Sequence, residues 1–254
     1  MENWIKQILP SRFVNWIRKY RAYRFRIIFD FYPLCGSKKG EVSYEYRLSK
    51  EGVSRDYVFS HFDGAGLRFL DYGGGDGQLR YLLGHKDHLT SDETLYQKNK
   101  QIFDAKYQYW GVDLYSEGPN IITGDVCESN YFDEKYLSFF DVVYSNNVFE
   151  HLHRPWVAVE NIYRMMKKDG IAIIVVPFSC RYHESPGDYF RYTHKVFESL
   201  FNDCGPVEVL RSGYDIVNRR SDERGTGQYN DYPPIDYLGG WREVWHTVTV
   251  LRKL

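Results

Sequence analysis

Cysteine is scarce in the sequence, and its spacing excludes two kinds of stabilising site. The 254 residues hold only four cysteines, and no two of them form a CxxC pair: Cys35, Cys127, Cys180 and Cys204. Widely scattered cysteines are typical of reduced thiols in a cytoplasmic protein, and they favour neither a zinc site nor a disulfide framework. No other cluster of residues requires a metal. We therefore expect a cytoplasmic protein without a metal site.

Long apolar runs and a strong net charge are missing too. No run approaches the roughly 18 residues that a membrane span needs, and Lys6 and Arg12 interrupt the apolar core that a signal peptide would require. The formal net charge is −1, so no overall field draws the chain to nucleic acid. The charge is uneven, however, because residues 1–30 hold seven Lys or Arg against two acids.

The basic N-terminal segment mixes these charges with aromatic and aliphatic residues. Residues 3–32 place Trp, Ile and Phe at helical spacing among Arg and Lys. Two interpretations stay open, a helical cap on the main domain and a helix that lies on an anionic membrane surface. A second helix is predicted over Tyr44–Phe62. We expect residues 1–62 to form a helical N-terminal cap and residues 63–254 to form the main domain.

From Leu67 onward, strands and helices alternate, as in a parallel sheet. Strands are predicted at 67–72, 107–114, 120–123, 141–145, 171–177, 207–212 and 242–254. The fifth is apolar without alternation, which indicates a central strand buried on both faces, and the last alternates like an antiparallel strand. Helices are predicted from 78, from Pro155 to a stop at Gly170, and over 195–202. Two insertions interrupt the pattern, at 85–105 and 214–240.

The first strand runs into a turn with four glycines, in the stretch RFLDYGGGDGQL at 68–79. So bare a backbone at a strand end suits nicotinamide dinucleotide or S-adenosylmethionine. The dinucleotide fingerprint GxGxxG fails in both registers, because Gln78 and Arg80 stand where its third glycine belongs. The turn reads instead as an acid, Asp71, followed by alternate glycines.

This turn and three later stretches resemble the motifs of class I S-adenosylmethionine-dependent methyltransferases. In chain order they are FLDYGGGDG, WGVDL, ITGDV and FDVVYSNNVFEHLHRPWVAVENIYRMMKKDGIAIIVVP. The resemblance covers residues 68–177 and the last strand. It implies an α/β fold, a Rossmann-like, doubly wound, mostly parallel seven-stranded sheet with an antiparallel last strand. The chain departs from the family at KKDG, where a proline and two glycines are frequent, and in the long separation of Gly77 from Asp113.

The resemblance also implies which residues bind S-adenosylmethionine. Glycines let backbone N–H groups approach the amino-acid part of the cofactor, Asp71 holds its ammonium, Asp113 accepts both ribose hydroxyls, and Asp125 receives the adenine amino group. The implied cofactor-binding set is Asp71, Gly73, Gly75, Gly77, Asp113, Leu114, Asp125, Val126 and Asn146.

The acceptor is expected beyond the fourth and fifth strands. The stretch SNNVFEH lacks the proline-proline-aromatic signature of enzymes that methylate base amino groups, and its Glu150-His151 resembles a pair frequent across the superfamily. RYHESPGDYFRYTH, at 181–194, is similar to a segment of methyltransferases of bacterial glycan and small-molecule pathways. His183 or Asp188 is the predicted general base, with His151 as a further catalytic candidate. The alternative is a structural turn in which Asp188 pairs with Arg191.

The predicted substrate-binding residues are Tyr189, Arg191 and Tyr192, and the insertion at 214–240 carries aromatic and acidic residues that suit a sugar-like substrate. The sequence therefore predicts methyl transfer to a hydroxyl, or an amine, of a small-molecule or glycan-like acceptor, as in polysaccharide biosynthesis. A tRNA or rRNA methyltransferase would need a basic face, and only the N-terminal segment is basic. A cofactor-binding interaction protein without catalysis is the third reading. Peripheral membrane contact through residues 1–32 stays open.

Overall fold

The computed structural model describes residues 48, 50–74, 93–129, 131–180, 182–184, 186–218 and 244–254. The chain divides into two compact units, and all described residues except Val217 and Asn218 belong to the unit formed by Tyr46–Ile216 and Val244–Leu254. The predicted helix at 3–32, the helix from 78 and most of the 214–240 insertion lie outside the described residues. Cys127, Cys180 and Cys204 are reduced thiols.

Seven strands form one sheet in the order β3-β2-β1-β4-β5-β7-β6. Their bounds are β1 Leu67–Tyr72, β2 Tyr107–Asp113, β3 Ile121–Thr123, β4 Phe140–Asn146, β5 Met166–Ser179, β6 Val207–Asn218 and β7 Val244–Lys253. Strands β1 to β5 pair in parallel and β7 pairs antiparallel to β5. The Rossmann-like fold predicted from the sequence is confirmed.

Four helices flank this sheet in the described part of the chain. They are α1 Lys50–Arg55, which continues as a π-helical turn over Asp56–Ser60, α2 Glu93–Lys106, α3 Pro155–Met165 and α4 Val196–Cys204. Helix α2 runs directly into β2, so the second half of the predicted 85–105 insertion is a regular helix of the crossover. None of the described helices has the length and apolar character that crossing a membrane requires.

The sheet has an apolar core on each face. Leu70, Val143 and Ile174 pack on one face against α3 and α4. Phe69 and Tyr144 lie on the other face, with α1 and α2. Every side chain of Ile171–Val176 is fully buried, which confirms β5 as a central strand buried on both faces.

Helix α3 ends earlier than the sequence indicated. The prediction carried it to Gly170, but the chain turns extended at Met166, which pairs with Phe140 of β4. Asp169 then adopts a positive φ of 63°. Residues from Met166 onward, which the helical period had assigned to α3, therefore belong to β5. Strand pairing and burial of Met166 outweigh helix propensity there.

The strand order reverses between β1 and β4. Chain connections leave these neighbouring strands in opposite directions, since β2 lies on one side of β1 and β5 on the far side of β4. Such a switch point opens a crevice outside the carboxyl ends of the strands, where open α/β sheets bind ligands. The glycine turn follows β1 and the Glu150-His151 pair follows β4, so both border this crevice.

Candidate active site

The glycine turn after β1 packs too tightly for side chains. Gly73 has a φ of +95°, and its N–H donates to Val112 O over 2.9 Å. A Cβ at Gly73 would overlap Val148 Cγ2, and one at Gly74 would overlap the Asp71 carboxylate. Only glycine satisfies both the conformation and the space. Gly75 and Gly77 lie outside the described residues.

Asp71, at the end of β1, is buried and held by a tyrosine of the next strand. The Tyr109 hydroxyl lies 2.9 Å from Asp71 Oδ2 and 2.6 Å from Gly74 O. One hydroxyl therefore ties the predicted ammonium ligand to the glycine turn. Tyr109 was not predicted as a site residue. It lies two residues before Gly111, which pairs with Asp71 on β2, and this position could have identified it.

Asp113 ends β2 with its carboxylate fixed by local backbone. Its Oδ1 accepts hydrogen bonds from the N–H groups of Tyr115 and Ser116, each over 2.8 Å. A carboxylate held this way has a defined orientation before any ligand arrives. Leu114, beside it, is largely exposed, so an apolar surface adjoins the acid at the strand tip.

The loop after β3 carries Asp125 and Val126. Asp125 Oδ1 accepts from the Cys127 N–H over 2.8 Å, and the buried amide of Asn161 donates to Val126 O and Glu128 O over 3.2 and 2.9 Å. Asn161 was missed by the sequence analysis, although a polar residue on the apolar face of α3 was a usable signal. The loop that is expected to receive adenine is therefore anchored from α3.

The loop after β4 holds a buried acid beside a histidine. Asn146 is exposed at the end of the strand, and a 3-10 turn then spans Phe149–His151. The Glu150 side chain is 1% exposed, and its Oε2 has no hydrogen-bond partner among the described residues. Burial raises the pKa of Glu150 to about 7.

His151 and His183 meet beside this acid, although they come from different loops. Their rings are perpendicular, with centroids 5.0 Å apart. His151 Nε2 lies 3.7 Å from Glu150 Oε1, and His151 Nδ1 lies 2.5 Å from Gly187 O. The two loops are also joined through their backbones, because Tyr189 N–H donates to Glu150 O over 2.7 Å.

Asp188 forms a bidentate ion pair with Arg191, as the alternative reading of the sequence anticipated. Hydrogen bonding from the guanidinium lowers the pKa of Asp188 to about 2. Asp188 Oδ2 also accepts the His183 N–H over 2.7 Å and lies 3.6 Å from His183 Nδ1. Arg191 bonds Cys180 O in turn. So weak a base suits a positioning role behind His183 better than proton abstraction.

The predicted substrate residues are one exposed, one partly exposed and one buried side chain. Tyr189 is 57% exposed on the loop after β5. Tyr192 is buried in the core, and its hydroxyl donates to Phe149 O over 2.8 Å, while Arg191 is occupied by Asp188 and Cys180 O. Tyr192 therefore packs the loop and does not face a substrate, because its ring covers Phe197 on α4.

Comparisons with known proteins agree with this geometry. Residues 20–203 match the family model described as "Methyltransferase domain". The fold is similar to that of a Bacillus halodurans protein provisionally named a methyltransferase, with 11% identity, a TM-score of 0.51, and 79% of this chain and 97% of that chain covered.

Haemonchus contortus phosphoethanolamine N-methyltransferase 2, solved with S-adenosyl-L-methionine, is similar at 15% identity and a TM-score of 0.45, with 86% of this chain and 62% of that chain covered. No curated protein sequence matches the chain significantly. The match to the family model spans well over half of the sequence. The chain belongs to the class I S-adenosylmethionine-dependent methyltransferases.

Proposed function

We propose that the enzyme transfers the methyl group of S-adenosylmethionine to a hydroxyl oxygen of a small, glycan-like acceptor. The observation that carries this proposal is the convergence of Glu150, His151 and His183 at the carboxyl ends of β4 and β5. The glycine turn follows β1 and Asp113 ends β2, at the same carboxyl edge of the parallel strands. An acceptor that meets the methyl group there contacts side chains able to handle a proton, which a hydroxyl must lose.

The residues of the loops after β1, β2 and β3 fit the cofactor. Packing against Val148 and the Asp71 carboxylate requires glycine at Gly73 and Gly74, and this keeps the backbone of the turn free of side chains. Asp71 is held for an ammonium and Asp113 for ribose hydroxyls. The bound cofactor supplies an electrophilic methyl group on a sulfonium, so the protein has to align the acceptor and manage its proton.

The acceptor oxygen gains a bond to the methyl carbon and loses its proton, while the bond from sulfur to that carbon breaks and its electron pair stays on sulfur. We assign the proton step to the cluster of Glu150, His151 and His183. The His183 side chain is 44% exposed and is the most open of the three. Asp188 positions it, and the exposed rings of Tyr182 and Tyr189 provide faces on which a sugar ring can stack.

The test is methyl transfer by the full chain to a panel of hydroxyl compounds that includes nucleotide sugars. We expect an O-methylated product by mass spectrometry. His183→Ala should lower turnover by roughly 100-fold or more, with S-adenosylhomocysteine affinity changed only a few-fold. The exposed His153 offers a matched control, because His153→Ala removes an imidazole from the same loop region. Transfer to RNA alone, or full turnover by His183→Ala, would overturn the proposal.

A further inference from the structure

Three side chains of the acceptor loops present a set of metal ligands. Glu150, His151 and His183 each offer one ligand atom, and these atoms all lie within 4.8 Å of one another. The sequence analysis expected no metal, because the three residues come from two loops 32 positions apart. We propose that they bind a divalent first-row transition-metal ion, with Zn²⁺ as the cation that best fits this ligand set.

The donor types argue for this class of cation. Two imidazoles and one carboxylate form a set that suits Zn²⁺ and its neighbours, whereas Mg²⁺ and Ca²⁺ prefer oxygen ligands. Catalytic zinc sites use three protein ligands of this kind and keep a fourth position open. Exposure of His183 gives the ion an entry path from solvent and leaves that fourth position accessible.

The hydrogen bond of His151 orients it as a ligand. Its Nδ1 lies against Gly187 O, an acceptor, so the ring proton sits on Nδ1 and the lone pair is on Nε2. That nitrogen is the one that faces Glu150 Oε1. Histidines that bind metals commonly donate their second ring N–H to a backbone carbonyl in this way.

His183 has a carboxylate behind its ring. Its Nδ1 lies 3.6 Å from Asp188 Oδ2, which assigns coordination to Nε2. The bidentate guanidinium of Arg191 holds this carboxylate in place. An arrangement of carboxylate, histidine and metal is a frequent way to fix the ring and raise ligand basicity. In this proposal the Asp188–Arg191 pair orients the His183 ring for metal binding.

Glu150 supplies the independent sign that a cation belongs here. Its side chain is almost fully buried, and Oε2 has no hydrogen-bond partner among the described residues. A buried carboxylate oxygen without a hydrogen-bond partner is costly, and a bound cation compensates for that loss.

The distances require only a small contraction. Tetrahedral ligands of Zn²⁺ lie about 3.4 Å apart, given bonds of about 2.0–2.1 Å. The separation of Glu150 Oε1 and His151 Nε2, 3.7 Å, is already close to that value. The ligand atom of His183 lies within 4.8 Å of the other two, so it has to approach by at most about 1.4 Å to reach that spacing, which an exposed side chain achieves by a modest rotation.

The role of the ion rests on the proposed function, whereas its binding does not. A hydroxyl oxygen in the fourth position loses its proton more readily because the cation stabilises the alkoxide. That proton leaves to solvent, the oxygen attacks the methyl carbon, and the electron pair of the breaking bond returns to sulfur. His183 then acts as a ligand, and no imidazole has to accept the proton.

The test measures Zn²⁺ binding directly. The full chain is stripped with a chelator and titrated with Zn²⁺ against a chromophoric competitor, and Co²⁺ loading is followed by its visible absorption. We expect one ion per chain, with His183→Ala and Glu150→Gln each weakening Zn²⁺ binding at least tenfold. His153→Ala is the matched control and should leave it unchanged. S-adenosylhomocysteine affinity shows whether each variant is folded. If Glu150→Gln fails to fold because Glu150 is buried, His183→Ala still tests the site, because His183 is exposed.

Less than stoichiometric Zn²⁺, or equal binding by His183→Ala and His153→Ala, would overturn the metal site. Methyl transfer that survives in stripped enzyme and is lost in His183→Ala would overturn the role of the ion in the reaction, and would leave the imidazole as the base and the proposed function intact. Stoichiometric Zn²⁺ that depends on Glu150 and His183, in a protein that methylates no hydroxyl compound, would support the metal site and contradict the proposed function.

Discussion

The loops after β1, β2 and β3, here the cofactor loops, are built differently from the loops after β4 and β5, here the acceptor loops. In the cofactor loops, Asp113 and Asp125 are held by their own neighbours: Asp113 by Tyr115 and Ser116, and Asp125 by Cys127. In the acceptor loops, besides the local Asp188–Arg191 pair, contacts join the two loops to each other, as between His151 and Gly187 or between Glu150 and Tyr189.

This difference separates the expected consequences of mutations in the two sets of loops. A carboxylate braced by the next two residues keeps its geometry wherever a strand ends in the same turn. A cluster assembled from two loops depends on both, so either loop can alter it. We therefore expect changes in the cofactor loops to affect affinity for the cofactor, and changes in the acceptor loops to affect turnover and stability.

The largest expected effect is on cofactor affinity. Asp113→Ala removes the carboxylate that we propose accepts two ribose hydroxyls, and hydrogen bonds to charged groups contribute about 1.5–3 kcal/mol each. S-adenosylhomocysteine binding should weaken by about 100-fold or more, as measured by calorimetry. Glu117→Ala, a nearby exposed acid, is the control. Unchanged affinity in Asp113→Ala would mean that the cofactor loops bind something else.

In the acceptor loops the largest effect is on stability. Asp188→Asn leaves Arg191 without its carboxylate, and breaking such a pair at a partly open position should cost about 2–3 kcal/mol of unfolding free energy. Urea denaturation measures this loss. Asp188→Asn with Arg191→Met should recover part of it, because no unpaired charge remains. A single variant as stable as the parent would show that the ion pair is dispensable.

Acid should weaken the acceptor side of the sheet through His246 on β7. Burial, with a smaller contribution from Lys50, lowers the pKa of His246 to about 3. The unfolded chain binds this proton near its ordinary value of 6.5, so the stabilisation is present above that pH and is lost as the pH falls towards 3. Between about pH 7 and pH 5 this accounts for about 2 kcal/mol of stability.

Comparing urea midpoints of the parent and His246→Gln across that interval isolates the contribution. The variant should show the shallower pH dependence, since its side chain does not titrate. His153→Gln, which removes an exposed histidine, serves as the control. Parallel curves for the parent and His246→Gln would contradict the burial argument.

The smallest expected effect is that of Tyr109→Phe, which removes the hydroxyl shared by Asp71 and Gly74. Loss of one hydrogen bond of about 1 kcal/mol should weaken S-adenosylhomocysteine binding roughly 5- to 10-fold. Tyr107→Phe is a close control, because its hydroxyl bonds Val58 O at the amino end of β2, away from the glycine turn. It should lower stability without changing affinity. Equal affinity losses in both variants would point to general destabilisation.

Most strands could be predicted because their signals are local. The apolar run 171–177 and the acid at the tip of β2 both appear where the sequence placed them, since burial on both faces and a strand-ending turn leave a mark in neighbouring residues. The end of α3 could not be predicted from neighbouring residues, because it depends on the pairing of Met166 with Phe140 across the sheet. The only sequence signal for the buried Asn161 was a polar residue on the apolar face of α3.

The succession of strands and helices along the chain, the bare glycine turn and the acids at the strand ends could be predicted from the sequence, since these depend on residue period, turn chemistry and backbone freedom. The tertiary structure decided what the acceptor loops do. Whereas the Asp188–Arg191 pair is a local contact that the sequence anticipated, the fold took Tyr192 into the core and placed Glu150, His151 and His183 together. Those outcomes depend on which segments the sheet brings face to face, and proximity between loops 32 positions apart leaves no pattern in the chain.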